Sequence, residues 1–274
     1  MFMHNLMRLA LAIMLVLLCV TPALAKGKAD QYPWAKYSLN AGGFLTAVDT
    51  KVSLGTSGVG VGIDLEEVTG MQSSNTGYRL GARGRFGDSM KHSVEVSYFY
   101  FNRDSSRTLL IDSGLGTAGD AIQSKFNIQM YKLNYNYSLL MDDRVNFSVG
   151  LGLYVMPISY TLENVTTATR LETADITAPL PTLNMGFEFA LTPKLILRQG
   201  VELFYLEYGG FTGSLVDVNI GADYRISKHF GLGLGVDAFD LKLEANGKDY
   251  PEIDFNGDIK FSYVGLMLYG KYFF

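Results

Sequence analysis

The mature chain has no cysteine. The one Cys in the sequence is Cys19, and it lies inside an apolar run at 9–20 that follows Arg8 and precedes Ala23-Leu24-Ala25. A positive start, a short apolar stretch and small residues at Ala23 and Ala25 read as a signal peptide over 1–25, cleaved after Ala25. Cys19 is not a lipidation site on this reading, because Leu18 stands where a small residue is needed. With Cys19 removed there are neither disulfides nor thiolate ligands, and none of the usual cysteine frameworks applies. Other shortages exclude further classes. After residue 25 no apolar run approaches the roughly 20 residues a spanning helix needs, which excludes helical insertion. There is no basic excess: 23 Lys+Arg stand against 27 Asp+Glu, and loss of Arg8 leaves 22 against 27. A phosphate-neutralising surface for nucleic acid is therefore absent. Histidine is scarce too, with only His92 and His229 beyond the signal peptide.

What the chain has in plenty is apolar residues at 48%, with 30 Gly, 17 Tyr and 17 Phe. From Tyr37 to Phe274 they alternate with period two, the signature of half-buried strands. Val145, Phe147, Val149, Leu151, Leu153 and Val155 alternate with Asn146, Ser148, Gly150, Gly152 and Tyr154. Phe230, Leu232, Leu234, Val236 and Ala238 alternate with Gly231, Gly233, Gly235 and Asp237. The pattern reads as one continuously apolar face and one face of glycine and charge. A soluble sandwich also alternates, but glycine weakens a solvent-exposed strand and suits a crowded barrel interior.

Ten strands are expected near 36–48, 76–86, 92–103, 123–139, 144–160, 180–191, 195–208, 214–226, 229–243 and 258–274. Short links at 87–89, 142–143, 192–194 and 227–228 alternate with long ones, 209–213 being a brief exception. Alternating short and long links belong to an up-and-down transmembrane barrel with short periplasmic turns. Both ends on the periplasmic side demand an even strand number, so 8 and 12 are the fallbacks. The glycine-rich 55–62 with its flanks, and Asn246-Gly247 with Asn256-Gly257, are places where extra β-pairing extends above the membrane. Phe86, Tyr137, Phe147, Tyr224, Phe230, Tyr272 and Phe274 fall beside short turns on the apolar face, as an interfacial aromatic girdle would. The barrel occupies 36–274, and 26–35 is a periplasmic lead.

The carboxyl end, Tyr269-Gly270-Lys271-Tyr272-Phe273-Phe274, resembles the terminal strand signal of bacterial outer-membrane proteins, with Tyr272 and Phe274 as its aromatic positions; Gly270 departs from the bulky residue preferred at its place. The resemblance is to the small, functionally mixed outer-membrane β-barrels. It implies the Gram-negative outer membrane, contact with its lipid and lipopolysaccharide, and recognition by the barrel-assembly machinery. It names no substrate.

With the apolar face toward lipid, the lumen receives Arg79, Arg83, Arg85, Lys132, Arg198, Arg225 and Lys271, and Glu95, Glu188, Glu202, Asp217, Asp223 and Asp237. Turn lengths set register: numbers summing to 178 place Arg83 opposite Glu95, and numbers summing to 386 place Glu188 opposite Arg198. Opposite charges across strands support each other. Such charges form either a structural network, since buried ions need partners, or the wall of a narrow ion path. A barrel near eight strands has an interior just filled by side chains, which favours the network. Barrel enzymes place His with Asp, Ser or Asn near the outer rim. Here both histidines flank periplasmic turns, and no nucleophile motif, metal cluster or cofactor signature appears. Loop carboxylates at Asp64, Glu66, Glu67, Asp249, Glu252, Asp254 and Asp258 match no calcium motif. The expectation is a non-enzymatic barrel with a structural or surface-interaction role toward a loop partner. A narrow channel for small polar solutes is the alternative, and a lipid-directed hydrolase the third reading.

Overall fold

The computed structural model describes residues 33–54, 61–64, 69–108, 117–246 and 256–274. The expected signal peptide over 1–25, most of the expected lead, and the loop carboxylates at Glu66, Glu67, Asp249, Glu252 and Asp254 lie outside them. Within them the chain is β throughout. The elements are β1 (Tyr37–Leu54), β2 (Val61–Asp64), β3 (Ser74–Phe86), β4 (His92–Thr108), β5 (Ala121–Met141) and β6 (Val145–Asn164). They continue with β7 (Thr169–Ala190), β8 (Leu195–Tyr208), β9 (Phe211–Arg225), β10 (Phe230–Asn246) and β11 (Asn256–Phe273). Every long strand pairs antiparallel with its neighbours in sequence, and β11 closes on β1 from Ser38↔Phe273 to Leu54↔Gly257. The result is a closed ten-stranded barrel. β2 is a short addition to the outer end of β1, through Lys51↔Asp64 to Leu54↔Val61.

The expected strand centres hold, but the strands run further outward, so the long links shorten. β10 and β11 pair as far as Asn246↔Asn256. The brief link between β8 and β9 is a two-residue hairpin, Gly209-Gly210, with both φ values positive at 56° and 80°. That backbone suits the right-handed strand twist and calls for glycine.

One reading of the pattern needs correction. The outer face is not apolar along its whole length, nor is the inner face glycine and charge throughout. Alternation persists, but its polarity inverts partway up each long strand. On β11 the outward residues are Tyr272, Leu268, Leu266 and Val264, then Ser262, Lys260 and Asp258. The inward ones are Lys271, Tyr269 and Gly265, then Tyr263, Phe261 and Ile259. β10 repeats this: Phe230 to Ala238 face out below Asp240, Lys242 and Glu244, while Asp237 gives way inside to Phe239, Leu241 and Leu243. Leu268 is 62% exposed whereas Phe261 is 0% exposed. The lower part is solvated by lipid outside and polar inside; the upper part is solvated by water outside and apolar inside. The eight steps from Phe230 to Ala238, at ~3.3 Å each and tilted by ~40°, give a belt about 20 Å tall, near the ~25 Å band of outer-membrane barrels. β6 continues as far again beyond it.

Two girdles bound the belt. The expected one is made of Phe86, Tyr137, Phe147, Tyr224, Phe230, Tyr272 and Phe274, all at the turn end, Phe147 half-buried and His92 stacked 5.4 Å from Phe86. A second was missed: Tyr78, Tyr98, Tyr100 and Tyr131 cluster outward on β3–β5, with Tyr98 and Tyr131 rings 5.0 Å apart and Tyr78 and Tyr100 5.5 Å apart.

Prolines interrupt the wall. β7 pairs with β8 only from Leu183↔Leu203 to Ala190↔Ile196, although β8 continues to Tyr208 and β7 starts at Thr169. Pro179 and Pro181 stand where the missing rungs would be. Both pair with β6, opposite Val155 and Leu153, so their hydrogen-less nitrogens face β8. The seam leaves Leu206 38% and Tyr208 68% exposed although alternation turns both inward. Open strand edges do not occur in hydrocarbon, so the lipid belt ends at or below Leu183 and Leu203.

Candidate functional site

Side chains converge in the lumen, which is built in tiers from the end that carries the short turns and both chain ends. Trp34, the one Trp, closes the floor. Its indole N–H donates to the Asp142 carbonyl at 2.6 Å, its ring packs with Ala190, Ile196 and Met141, and the Arg85 guanidinium lies 5.8 Å from it. Beside it Arg225 donates to the Pro33 carbonyl at 3.1 Å and covers the Phe273 ring at 4.5 Å. Lead residues 33–35 therefore belong to the barrel's base.

Above the floor lies the lower charge network. Register puts Arg83 opposite Glu95, and the two bond at 2.9 and 2.7 Å. Glu188 is opposite Arg198 in register, but the two do not pair. Glu188 instead accepts from Arg83 at 2.5 Å, Arg85 at 2.5 Å and Asn146 at 2.7 Å. Arg198 turns the other way, donating to Asp223 at 3.0 Å and the Tyr269 hydroxyl at 2.7 Å. Asp223 also accepts from Tyr269 and from Lys271 at 2.8 Å. Glycine makes room for this traffic: a Cβ on Gly233 would overlap the Tyr269 ring.

The upper network spans β3, β5, β6, β8, β9 and β10. Lys132 pairs with Glu202 and lies 3.6 Å from Asp217. Asn134 donates to Glu202 at 3.1 Å, the Tyr154 hydroxyl to Asp217 at 2.5 Å, and Arg79 to Asp237 at 3.1 Å. Between the two networks lies a cavity of ≈ 110 Å³, lined by Arg79, Arg83, Glu95, Asn134, Glu188 and Arg198 among others. All thirteen charges read from the sequence as lumenal thus sit in these tiers.

Sequence reasoning missed what closes the lumen above them. Phe44, Phe99, Phe101, Phe239, Phe261 and Tyr263 form one buried aromatic cluster across the barrel, with Phe44–Phe99 at 5.1 Å and Phe239–Tyr263 at 5.3 Å. Phe126, Ile128, Met156, Ile158, Leu162, Leu180 and Leu215 continue it outward. The signal was available: inward positions of β5, β6, β10 and β11 turn from Asn, Gly and Asp to Phe, Ile and Leu. At the outer rim Arg103 donates to Thr50 at 2.8 Å and to the Gln72 carbonyl at 2.6 Å. Asp120 accepts from Asn164 at 3.0 Å and from the Thr117 amide at 2.9 Å, bonds that hold its carboxyl below the ordinary carboxylate range.

Both histidines stay at the girdle of the short-turn end. The His92 ring bonds the Tyr135 hydroxyl at 2.7 Å, and the His229 ring the Phe273 carbonyl at 2.9 Å. Among the described residues no group of three or more His, Cys, Asp or Glu has metal-binding geometry.

No family model matches the chain, and no curated protein matches it. Solved structures do. The outer membrane protease OmpT of Escherichia coli aligns with a TM-score of 0.53 at 12% identity, over 86% of this chain and 97% of that one. Neisserial surface protein A aligns at 0.35 and 13% identity, over 88% and 98%. The toluene transporter TodX of Pseudomonas putida aligns at 0.37 and 8% identity, over 93% and 94%. The first of these shows a likeness of fold alone. The closed ten-stranded barrel, with its lipid belt and girdles, is an integral outer-membrane β-barrel.

Proposed function

We propose that this protein is a non-conducting, non-enzymatic outer-membrane barrel that holds a rigid extracellular collar and its loops out from the membrane for surface interaction. One observation carries the reading: the aromatic and aliphatic core that fills the barrel above the charge networks. A path for polar solutes would have to cross Phe44, Phe99, Phe239, Phe261 and Tyr263, all at most 6% exposed. Trp34 and Phe273 close the other end. The charge network then serves packing: its ions are paired because leaving one alone in the interior is costly.

A hydrolase is disfavoured because both histidines lie at the end opposite the collar. In this reading residues 1–25 direct export and are cleaved after Ala25, Tyr272 and Phe274 are read by the assembly machinery, and the belt meets lipid and lipopolysaccharide. Tyr272 and Phe274 are suited to recognition: their rings stand 4.8 Å apart on the outer face, and Phe274 is 64% exposed.

Single-channel recording of refolded protein in a planar bilayer tests the function. Silence over many insertions verified by heat-modifiable gel mobility is the expected result. Reproducible conductance that changes in Arg79→Ala or Asp223→Ala would establish the narrow-channel alternative instead.

A further inference from the structure

One position repeats around the short-turn end. β1, β4, β6, β8 and β10 all start there, and the residue before each is Lys36, Lys91, Arg144, Lys194 and His229 in turn, the last preceded by Lys228. Each of the five offers its backbone carbonyl to the end of the next long strand. The amide of Arg85 donates to Lys36 at 2.7 Å, that of Ser138 to Lys91 at 2.8 Å and that of Ala190 to Arg144 at 2.8 Å. Arg225 donates likewise to Lys194 at 2.7 Å, and Phe273 to His229 at 2.8 Å. The same rung therefore sets all five on alternate strands, at one level around the whole rim. With strands ~4.8 Å apart and tilted by ~40°, neighbouring positions stand roughly 12 Å from each other along the rim. That exceeds the ~10 Å screening length of 0.1 M salt, so the ring costs folding little.

The charge of this ring has no counter-ion among the described residues. Lys36, Lys194 and Lys228 are exposed, Lys91 and Arg144 half-buried, and none of them makes an ion pair there. The collar lysines differ, since Lys242 pairs with Glu244 at 2.7 Å and Lys260 with Asp258 at 3.2 Å. Three acids share the turns, Asp88, Asp142 and Asp143, and Asp142 is held by the amides of Arg144 and Val145 at 2.8 and 2.7 Å. Bases thus lead at this rim, although acids lead in the whole chain by 27 to 23. Two contacts show where the side chains go. The Lys36 ammonium lies 5.5 Å from the Tyr37 ring, and the His229 ring stacks 5.9 Å from that of Tyr272. Both tyrosines face outward at the girdle. The axis side is taken by the Trp34 floor, with Arg85 and Arg225 already beside it.

We propose that this ring is a docking annulus for anionic phospholipid, whose headgroup phosphates it gathers beneath the aromatic girdle. The inference rests on the reading that the belt meets lipid, and it names which lipid. Lysine and arginine carry long apolar stems that lie along a membrane interface while their charged heads reach the phosphates. Even spacing around the full perimeter fits a partner that surrounds the barrel. An acidic protein docking from one side would need a patch instead. Each Lys or Arg near an anionic membrane surface strengthens association about fivefold.

Electron spin resonance on refolded protein in phosphatidylcholine vesicles tests the proposal. The motionally restricted fraction of a trace of spin-labelled phosphatidylglycerol is compared with that of spin-labelled phosphatidylcholine. Phosphatidylglycerol is expected to be held about two- to fivefold more tightly at low salt, because only some wall sites carry a base, and the preference should fade in about 1 M salt. Lys36→Gln, Lys91→Gln, Arg144→Gln, Lys194→Gln and Lys228→Gln combined should abolish it. The rungs use backbone carbonyls, so this variant keeps the fold, which heat-modifiable gel mobility verifies. Lys242→Gln with Lys260→Gln, on the collar, should leave the preference unchanged. Equal retention of the two lipids by the wild type, or a preference that survives the five substitutions, overturns the proposal. Salt-sensitive binding of polyglutamate by the wild type in detergent, with no lipid preference, would give the ring to an acidic protein instead. Absence of any restricted lipid would overturn the lipid belt together with the ring, whereas equal retention leaves the belt standing.

Discussion

At the scale of the residue, Glu188 is the hub of the lower network. Its two oxygens serve Arg83, Arg85 and Asn146 at 2.5–2.7 Å, and it is 8% exposed. Removing one partner from a buried ionic cluster costs about 3–5 kcal/mol, because the others are left uncompensated. Glu188→Gln is therefore expected to lower the unfolding free energy by roughly that amount in urea titrations in detergent. Exchanging the charges of Glu188 and Arg198 together should recover little, since Arg198 belongs to Asp223 and Tyr269. Recovery to near wild type would mean that the two partners face one another after all. The contrast marks how much of the site was legible. Turn length fixes which residues stand opposite on adjacent strands, so 83↔95 and 188↔198 were both readable. Which neighbour a long side chain then chooses depends on barrel closure, which brings β3 across to β7 and β8 to β11. No local spacing encodes that.

Elements show the same division between local and closing information. The prolines are a local signal, and Pro179 and Pro181 argue against a central strand running through them. The expected strand began at 180 and so took in Pro181. It runs instead from Thr169, because each proline offers β6 its intact side and spends the missing N–H on β8. Pro157 does likewise on β6, where the ladder with β5 skips from Ile128↔Ile158 to Tyr131↔Val155. Replacing Pro179 and Pro181 together by Thr should let β7 and β8 zip past Leu183 and Leu203. Each new backbone bond is worth about 0.5–1.5 kcal/mol. Slower amide exchange over residues 204–208 would report the closure. Unchanged exchange there would show that something other than the prolines keeps the strands apart, with the glycine hairpin at 209–210 the next place to look.

For the whole molecule, the decisive feature is the inversion of polarity along the strands, because it positions the barrel in the membrane and explains the filled lumen with one cause. A strand has two faces and meets two solvents. Where lipid lies outside, the polar residues can only turn inward; where water lies outside, the apolar ones must. The alternation was legible throughout, but reading it with a single polarity hid the inner core of the collar and left the channel alternative open. The inversion places the lipid boundary between Val264 and Ser262 on β11. Cys19 is the one cysteine of the sequence and none follows it, so single substitutions along β11 can locate that boundary. On intact cells a membrane-impermeant thiol reagent is expected to label Lys260→Cys but not Leu266→Cys. A spin label at Leu266 should be relaxed by oxygen, which concentrates in lipid, and one at Lys260 by a water-soluble metal chelate. Phe261→Cys, one residue from Lys260 yet turned into the core, should resist both probes. Labelling of Leu266→Cys from outside would lower the membrane on the barrel. Lipid-phase relaxation at Lys260 would raise it, and would put Asp240, Lys242 and Asp258 in hydrocarbon, where charged groups are costly.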